Sequence, residues 1–536
     1  MGNSSTLRNL TASPLDLMLK TGASFMARNF ESRDPFASQR DIFTRLLMQG
    51  AATRFGKDHG LTDLTGLPFD QAHRFYRRQV PIRTYGDFWK EYFSAGLQKG
   101  EEMKRLCLED VTWPGKIPFF CETSGTTAPT KYIPFSRKMF QANKRAALDL
   151  AACYLDRNRK SRLFRGKLLY MAGNTSLSDL GDGVKSGDMS AITLRYPPPY
   201  LKPFIAPKAA ISALPWDDKL EALAALLLTD GNIRGISGVP PWIILLLKRC
   251  AELGKKPLRE LLPNLELIIH GGTSIKPYSK EFAELFPKQA PNFIEVLPSS
   301  EAFMAFQLFG EEYMRLAPYY GVYFEFVPFE KLDERGIPAP DAETVPLEGV
   351  ETGRRYAIIL STCAGLWRYH IGDTIRFTSL SPLFIEFTGR DKFLDRFEEK
   401  VTQSEVEEAV AKLNRIDGVE IKEFIVGPEI SERRHLWVLA AKGGSRHTAE
   451  LAVHLDRSLM TMNADYATFR SQGRIKEPLV VMVGEDSIYR WSKEVRGKLG
   501  GQSKIPHIDP SVDGEMVRSL VRFVNLTEEQ IGSAAH

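Results

Sequence analysis

Apolar positions in the first 110 residues recur at helical spacing, as in DIFTRLLMQGAATRFG at 41–56, and the pattern predicts a mostly helical stretch. From about residue 111 the texture alternates between strands and helices. LPWDDKLEALAALLLTDG (214–231) predicts a helix with Asp217 as N-cap and Gly231 as its stop. LELIIHGG (265–272) is a short apolar strand ending in two glycines, and NFIEVLPSSE (292–301) is another, broken by Pro298. RRYAIILST, DTIRFTSL and PLFIEFTGR add three more between 354 and 390. Strands alternating with helices indicate an α/β domain.

The pattern changes after GRDKFLD (389–395). SEVEEAVAKL opens a helix with a capping box from Ser404 to Glu407, and the strands VEIKEFIVG and HLWVLAAK follow. A long helix from about His447 to Phe469, the strand EPLVVMVG and a helix from near Ser487 complete the set. The expected organisation is α/β, with a large domain of mixed sheets over 1–391. A small α+β domain covers 392–536, the boundary falling between Arg390 and Asp395.

A chain of 536 residues is too long for one core, which agrees with two domains. Its 43% hydrophobic and 26% charged residues describe a soluble folded protein. The net charge of +5 is small for this length, and no basic block carries interleaved aromatics, which argues against a nucleic-acid partner. Five cysteines (Cys107, Cys121, Cys153, Cys250, Cys363) stand singly, which suits a reducing cytoplasm better than a disulfide framework or a zinc site. The apolar runs LEALAALLL and PWIILLL are too short to span a bilayer, and the N-terminus lacks a signal-peptide profile, so no membrane role is expected. MGNSST does fit the loose pattern for N-myristoylation. Oligomeric state is not legible.

Candidate chemistry begins at CETSGTTAPTKYIPF (121–135), where Thr123, Ser124, Thr126 and Thr127 surround Gly125 and Lys131 follows. Small residues let backbone N–H groups approach an anion, hydroxyls add donors, and a lysine adds a point charge. The flanking KIPFF and KYIPF read as strands, so the loop is either a phosphate-holding hairpin or an ordinary polar turn. Cys121 beside it reads as a small apolar filler rather than a nucleophile, since no histidine lies near it in sequence.

Three further stretches gather polar residues just after a strand, where ligands bind in α/β domains. Gly271, Gly272 and Thr273 offer a flat backbone on which adenine could lie, or form only a turn. Ser299, Ser300 and Glu301 put a carboxylate beside hydroxyls, which suits Mg²⁺ at a nucleotide, or a helix-terminal acid. LWRYHIGDTIRF ends a strand at Gly372-Asp373, where Asp373 could accept from both ribose hydroxyls or merely cap a turn. His370 beside it reads as a structural imidazole.

The order of these segments resembles the adenylate-forming enzymes, and among them the GH3 acyl-acid amido synthetases. TSGTTAPTK is similar to their [ST]-S-G-T-T-G-x-P-K phosphate loop, with Ala128 in place of a glycine and Thr130 in place of a proline. LPSSE resembles Y-A-S-S-E in its last three residues, Leu297 and Pro298 departing from it. AGLWRYHIGD is close to A-G-L-Y-R-Y-x-x-G-D, and GGQSKIP is similar to Q-x-K-x-P and supplies Lys504. The likeness covers roughly 85–510 and points to a bacterial-type member.

The resemblance implies ATP and Mg²⁺ as cofactors, and a carboxylic acid and an amino acid as substrates. An acyl-adenylate forms first and an amide second. It assigns Lys131 and Lys504 to catalysis, and Glu301 to the metal. Nucleotide binding falls to Thr123, Ser124, Gly125, Thr126, Thr127, Gly271, Gly272, Thr273, Ser299, Ser300, Asp373 and Arg390. Lys504 is expected on a small domain that moves about Asp391 and Lys392. The segment from Met171 to Tyr200 is expected to help line the acyl pocket, with Lys185 or Arg195 as candidate partners of a carboxylate. Two alternatives remain: a ligase with a thiol acceptor such as coenzyme A, and a nucleotide-binding regulatory protein with a degenerate site.

Overall fold

A computed structural model describes residues 14–534 apart from 100–103, 124–129, 173–175, 198, 208, 334–335, 391–392, 395, 398, 400, 417, 443–447, 497–504 and 512. Its main feature is a mixed sheet of 12 strands. At one end 205–206, Lys167–Tyr170, Ile233–Gly238, Leu267–Gly271 and Asn292–Pro298 lie parallel. From Phe303–Gln307 onward the strands are antiparallel, through Tyr369–Leu380 and Leu383–Arg390 to Val322–Pro328.

The parallel strands are apolar on both faces because helices cover both. Ile236 and Ile268 pack against Leu223, Ile243 and Leu247 of the helices Trp216–Thr229 and Pro240–Gly254. Their neighbours Leu267 and Ile269 point the other way, toward Pro14–Glu31 and Arg137–Arg157. This period-two alternation puts a helical layer on each side of the sheet. Pro240 and Pro241 occupy the first turn of their helix, where a missing N–H costs nothing.

The segment around the glycine-rich loop is a hairpin, as its flanks predict: Phe119–Thr123 pairs antiparallel with Lys131–Phe135. Lys185–Gly187 and Ser178–Asp179 extend it to four strands. Farther along, Ile421–Glu429, Arg434–Ala441 and Leu479–Gly484 form a sheet of their own, with cores on both of its faces.

Several local expectations need correction. Asp217 lies inside the first turn of its helix, and Pro215 holds the cap position. The capping box uses Thr402 and Glu405, two residues earlier than expected. The expected 447–469 helix is two, Thr448–Met462 and Ala464–Ser471, because Asn463 stops one and caps the next. Gly372 and Asp373 do not end a strand; they lie inside Tyr369–Leu380.

Polar links join this C-terminal part to the large sheet's helices. Lys493 pairs with Asp217 at 2.6 Å, Lys422 with Glu281 at 3.1 Å, and Lys280 donates to the Val419 carbonyl at 3.0 Å. Beside them His507 is buried between Glu407 (2.8 Å) and Glu423 (3.0 Å). Glu423 also accepts from the hydroxyls of Tyr278 and Tyr489.

Candidate active site

The carboxyl ends of four parallel strands open into one cavity of about 620 Å³. Met171 and Ala172, Gly238 and Val239, Gly271–Thr273 and Leu297–Glu301 line it in turn. This is the crevice in which open α/β sheets hold ligands. The hairpin adds Thr123 and Lys131, and the antiparallel half adds Ile371 and Asp373. Four segments singled out by sequence alone therefore meet in one place.

Each segment gets there by a local device. Gly271 runs so close to its neighbour that a Cβ would meet the Val296 carbonyl oxygen at 2.3 Å, and Gly272 turns the chain with φ of +86°. The Ser299 hydroxyl accepts from the backbone N–H groups of Glu301 (3.2 Å) and Ala302 (3.0 Å), closing a tight turn. No helix follows Glu301; the strand Phe303–Gln307 does, so the helix-terminus reading of this acid is excluded. Its carboxylate accepts from the Tyr369 hydroxyl at 3.4 Å, and the residue is 9% exposed.

Asp373 reaches the cavity through an irregularity. Ala357 faces Thr374 while Ile359 faces His370, so the second strand carries extra residues across that step. Gly372 takes up the bulge with φ of +85°. Ile371 and Asp373 then both project into the cavity, while His370 is buried outside its lining. Burial holds the His370 imidazole down at about 4, which leaves it neutral and structural. Cys121 is buried too, and burial, then the nearby Glu301 and Asp188, push its thiol well up, as a filler rather than a nucleophile.

Ser124 to Thr127 and Lys504 lie outside the described residues, as do the MGNSST motif and the expected pivot at Asp391 and Lys392. Arg390 ends its strand opposite Asp373. Lys185 pairs with Asp179 at 2.6 Å, and neither it nor Arg195 lines the cavity.

Sequence reasoning missed several wall residues. Asn143 and Lys144 come from the helix Arg137–Arg157, Glu295 from mid-strand and Arg496 from the turn after the helix Ser487–Glu494. Burial carries the Glu295 carboxyl up to about 7, against a lowering by Lys276. Buried atoms of Thr273 (Oγ1), Asn143 (Oδ1) and Arg496 (Nη1, Nη2) have no hydrogen-bond partner among the described residues. The Thr273 hydroxyl and the Arg496 guanidinium are orphaned donors that fit a polar, anionic ligand, while the Asn143 oxygen can only accept. Arg496 carried one signal in the sequence, its place just before Gly497-Lys498; the others carried none.

Among the described residues no group of three or more His, Cys, Asp or Glu could hold a metal. One carboxylate aimed into an anion site still suits magnesium, which takes few protein ligands when phosphates supply the rest. No helix among the described residues is long and apolar enough to cross a membrane.

Comparison with known proteins agrees with this geometry. Three family models match in order: the GH3 family N-terminal domain over 28–230, the central domain over 316–390 and the C-terminal domain over 400–511. Indole-3-acetic acid-amido synthetase GH3.8 of Oryza sativa subsp. indica is 29% identical over 204 residues, 34% of this chain and 33% of that one. Probable indole-3-acetic acid-amido synthetase GH3.6 of Oryza sativa subsp. japonica is 36% identical over 107 residues, 19% of this chain and 22% of its own length. The aligned stretches thus span a third or less of these curated relatives.

Among solved structures, AtGH3.15 acyl acid amido synthetase in complex with 2,4-DB superposes with a TM-score of 0.73 at 17% identity, covering 96% of this chain and 98% of that one. A 2-hydroxyisobutyryl-CoA ligase in its postadenylation state gives 0.57 at 14% identity, over 90% and 91%. The fold is that of the adenylate-forming enzymes, and with its N-terminal, central and C-terminal parts all matched, the chain belongs to the GH3 family.

Proposed function

We propose that this protein is an ATP-dependent acyl-acid amido synthetase, joining a carboxylic acid to an amino acid through an acyl-adenylate with release of pyrophosphate and AMP. The observation that carries the reading is the convergence of Thr123, Lys131, Gly271–Thr273, Ser299–Glu301 and Asp373 on one cavity. Adenylyl transfer needs little covalent help from protein groups; it needs positioning and charge neutralisation.

The residues divide that work. The hairpin loop between Thr123 and Lys131 cradles the departing phosphates. Lys131, whose Nζ lies 5.7 Å from the centre of the Tyr85 ring, supplies positive charge. Gly271–Thr273 give the adenine a flat edge, and Asp373, opposite Arg390, takes the ribose hydroxyls. Glu301, oriented by the Tyr369 hydroxyl, would hold Mg²⁺, which when bound neutralises phosphate charge.

We place the domain partition at 391/392, supported by the separate sheet and cores beyond it. Lys504, on the smaller domain, serves adenylation and withdraws as that domain rotates. The junction combines polar links with the packing of Tyr489 on Trp242, and a rotation of the smaller domain would have to part both. Five free cysteines fit a cytoplasmic setting.

Acid-dependent exchange of labelled pyrophosphate into ATP tests the reading. Exchange followed by amide formation with an amino acid supports it; thioester formation with coenzyme A in place of amide overturns the acceptor. No exchange with any acid would leave a degenerate nucleotide-binding protein.

A further inference from the structure

The cavity extends well beyond the nucleotide segments, and its far part is apolar. One stripe of the helix Arg137–Arg157 lines it from Phe140 through Asn143, Ala147 and Ala151 to Tyr154. Tyr154 is buried to 1% exposure, so the open part of that wall runs from Phe140 to Ala151, eleven residue steps at 1.5 Å or about 17 Å. The opposite wall is the sheet, where Leu168, Leu267 and Ile269 line the same space. From Leu267 to Gly271 that strand spans about 13 Å.

Both walls point the same way. Phe140 packs on Phe119 and Phe135, the paired end of the hairpin away from its loop, so the helix begins beside the hairpin. Tyr154, at the other end, bonds to Glu266 and Asn292, where the strands begin. The cavity therefore runs from the strands' carboxyl ends back toward their amino ends. Phe164 and Phe204, edge to face at 5.8 Å, line its remote part.

We infer that the acyl acid is a long-chain aliphatic acid, its carboxylate at the strand ends and its chain laid between helix and sheet. This rests on the adenylation reading and names the substrate class of that same site. A membrane-type acyl chain, half of a hydrocarbon core about 30 Å thick, spans roughly 15 Å and matches these walls. A one- or two-ring acid would leave the remote half unfilled. Apolar space of that kind is poorly hydrated and gains from an apolar occupant.

The test is a chain-length series, from butanoic to octadecanoic acid beside benzoic and indole-3-acetic acids, in the pyrophosphate exchange assay, with direct calorimetric binding of dodecanoate in parallel. Exchange kcat/KM is expected to rise about fourfold per added methylene over the middle of the series. Ala151→Phe should lower it at least tenfold for the longest acids and move the optimum to shorter chains. Ala147→Phe, one helical turn (about 5.4 Å) nearer the reactive end, should move it further still and guards against misfolding of the first variant. Ring acids turned over while alkanoic acids neither bind nor react would overturn the inference and leave adenylation intact. Dodecanoate binding that Ala151→Phe abolishes, with no exchange by any acid, would keep the cavity assignment and sink the adenylation reading. A chain-length profile unmoved by either variant overturns the inference outright.

Discussion

Replacing Arg368 by methionine should cost the fold several kcal/mol without touching the cavity. Arg368 and Glu325 are both 0% exposed, and the guanidinium Nε donates to the Glu325 carboxylate at 3.1 Å. Its Nη1 donates to the carbonyls of Arg77 (3.0 Å) and Val80 (2.8 Å), and its Nη2 to the Thr344 hydroxyl (3.0 Å). These bonds tie the helix Phe69–Gln79 to the strands behind the cavity.

Methionine fills similar volume but strands a buried carboxylate and two carbonyls. Removing one partner of a buried pair typically costs about 3–5 kcal/mol. Against a total stability of roughly 5–15 kcal/mol, that is a large fraction. Burial pushes the Glu325 carboxyl up, yet Arg368 and His73 outweigh it and hold it at about 2. A carboxyl held below its unfolded value stabilises above pH 4.5 and loses that contribution as the pH falls toward 2. In Arg368→Met the largest part of that pull is gone while His73 and Thr344 keep theirs, so the acid limb of the stability profile should shift to higher pH. Urea denaturation across pH 3 to 8 reads both effects. Arg368→Met/Glu325→Leu should recover most of the loss, because the uncompensated charge goes with its partner. A single variant within about 1 kcal/mol of wild type would refute the reasoning.

The remaining predictions concern the cavity and the C-terminal junction. Asp373→Ala should lower kcat/KM for ATP by on the order of 10² or more, from two lost charge-assisted hydrogen bonds, while far-UV dichroism stays unchanged. Glu301→Gln should raise the Mg²⁺ concentration needed for half-maximal exchange; an unchanged titration removes Glu301 from the metal. Lys504→Ala should slow exchange by about 10²–10³ and spare the reaction of prepared acyl-adenylate with amine; equal losses in both would make Lys504 structural. Burial lowers the His507 imidazole, but Glu407 and Glu423 raise it overall to about 10, so its stabilisation is full below pH 6.5 and fades as the pH climbs toward 10. The melting temperature should therefore fall over that range, and His507→Gln should flatten the fall.

What the sequence made legible follows from which forces are local. The hairpin around Gly125 is written in its flanking strands, and Gly271-Gly272 announces a close approach that only glycine permits. The helix boundary near 402 differs from the expected one because Thr402 and Ser404 can each offer a capping oxygen, whereas the helix at 216 starts after Pro215 with no side-chain cap at all. At Thr402 the choice is decided by Asn463, which donates to Glu405 from 58 residues away. Asp373 shows the limit most clearly. Its motif marked it as functional, yet the period of the pattern could not show a bulge, because bulges depend on the partner strand's register.

The cavity walls were the least legible part, for the same reason. Ala147, Ala151 and Leu168 look like any helix or strand filler, and nothing in their neighbours says which face is packed and which is open. Openness belongs to the gap between two elements. The helix Arg137–Arg157 buries Ala146, Leu150 and Cys153 against the helix Pro14–Glu31 side of the core, and turns its next stripe toward empty space above the sheet. A closely packed protein would fill that gap with larger side chains, since interiors of this size rarely leave room for more than water. Alanines at 147 and 151, facing leucines across the cavity, are therefore best understood through what must lie between them. Chemistry-bearing residues can be found by their type and spacing; substrate shape is encoded in residues that are small where they could have been large.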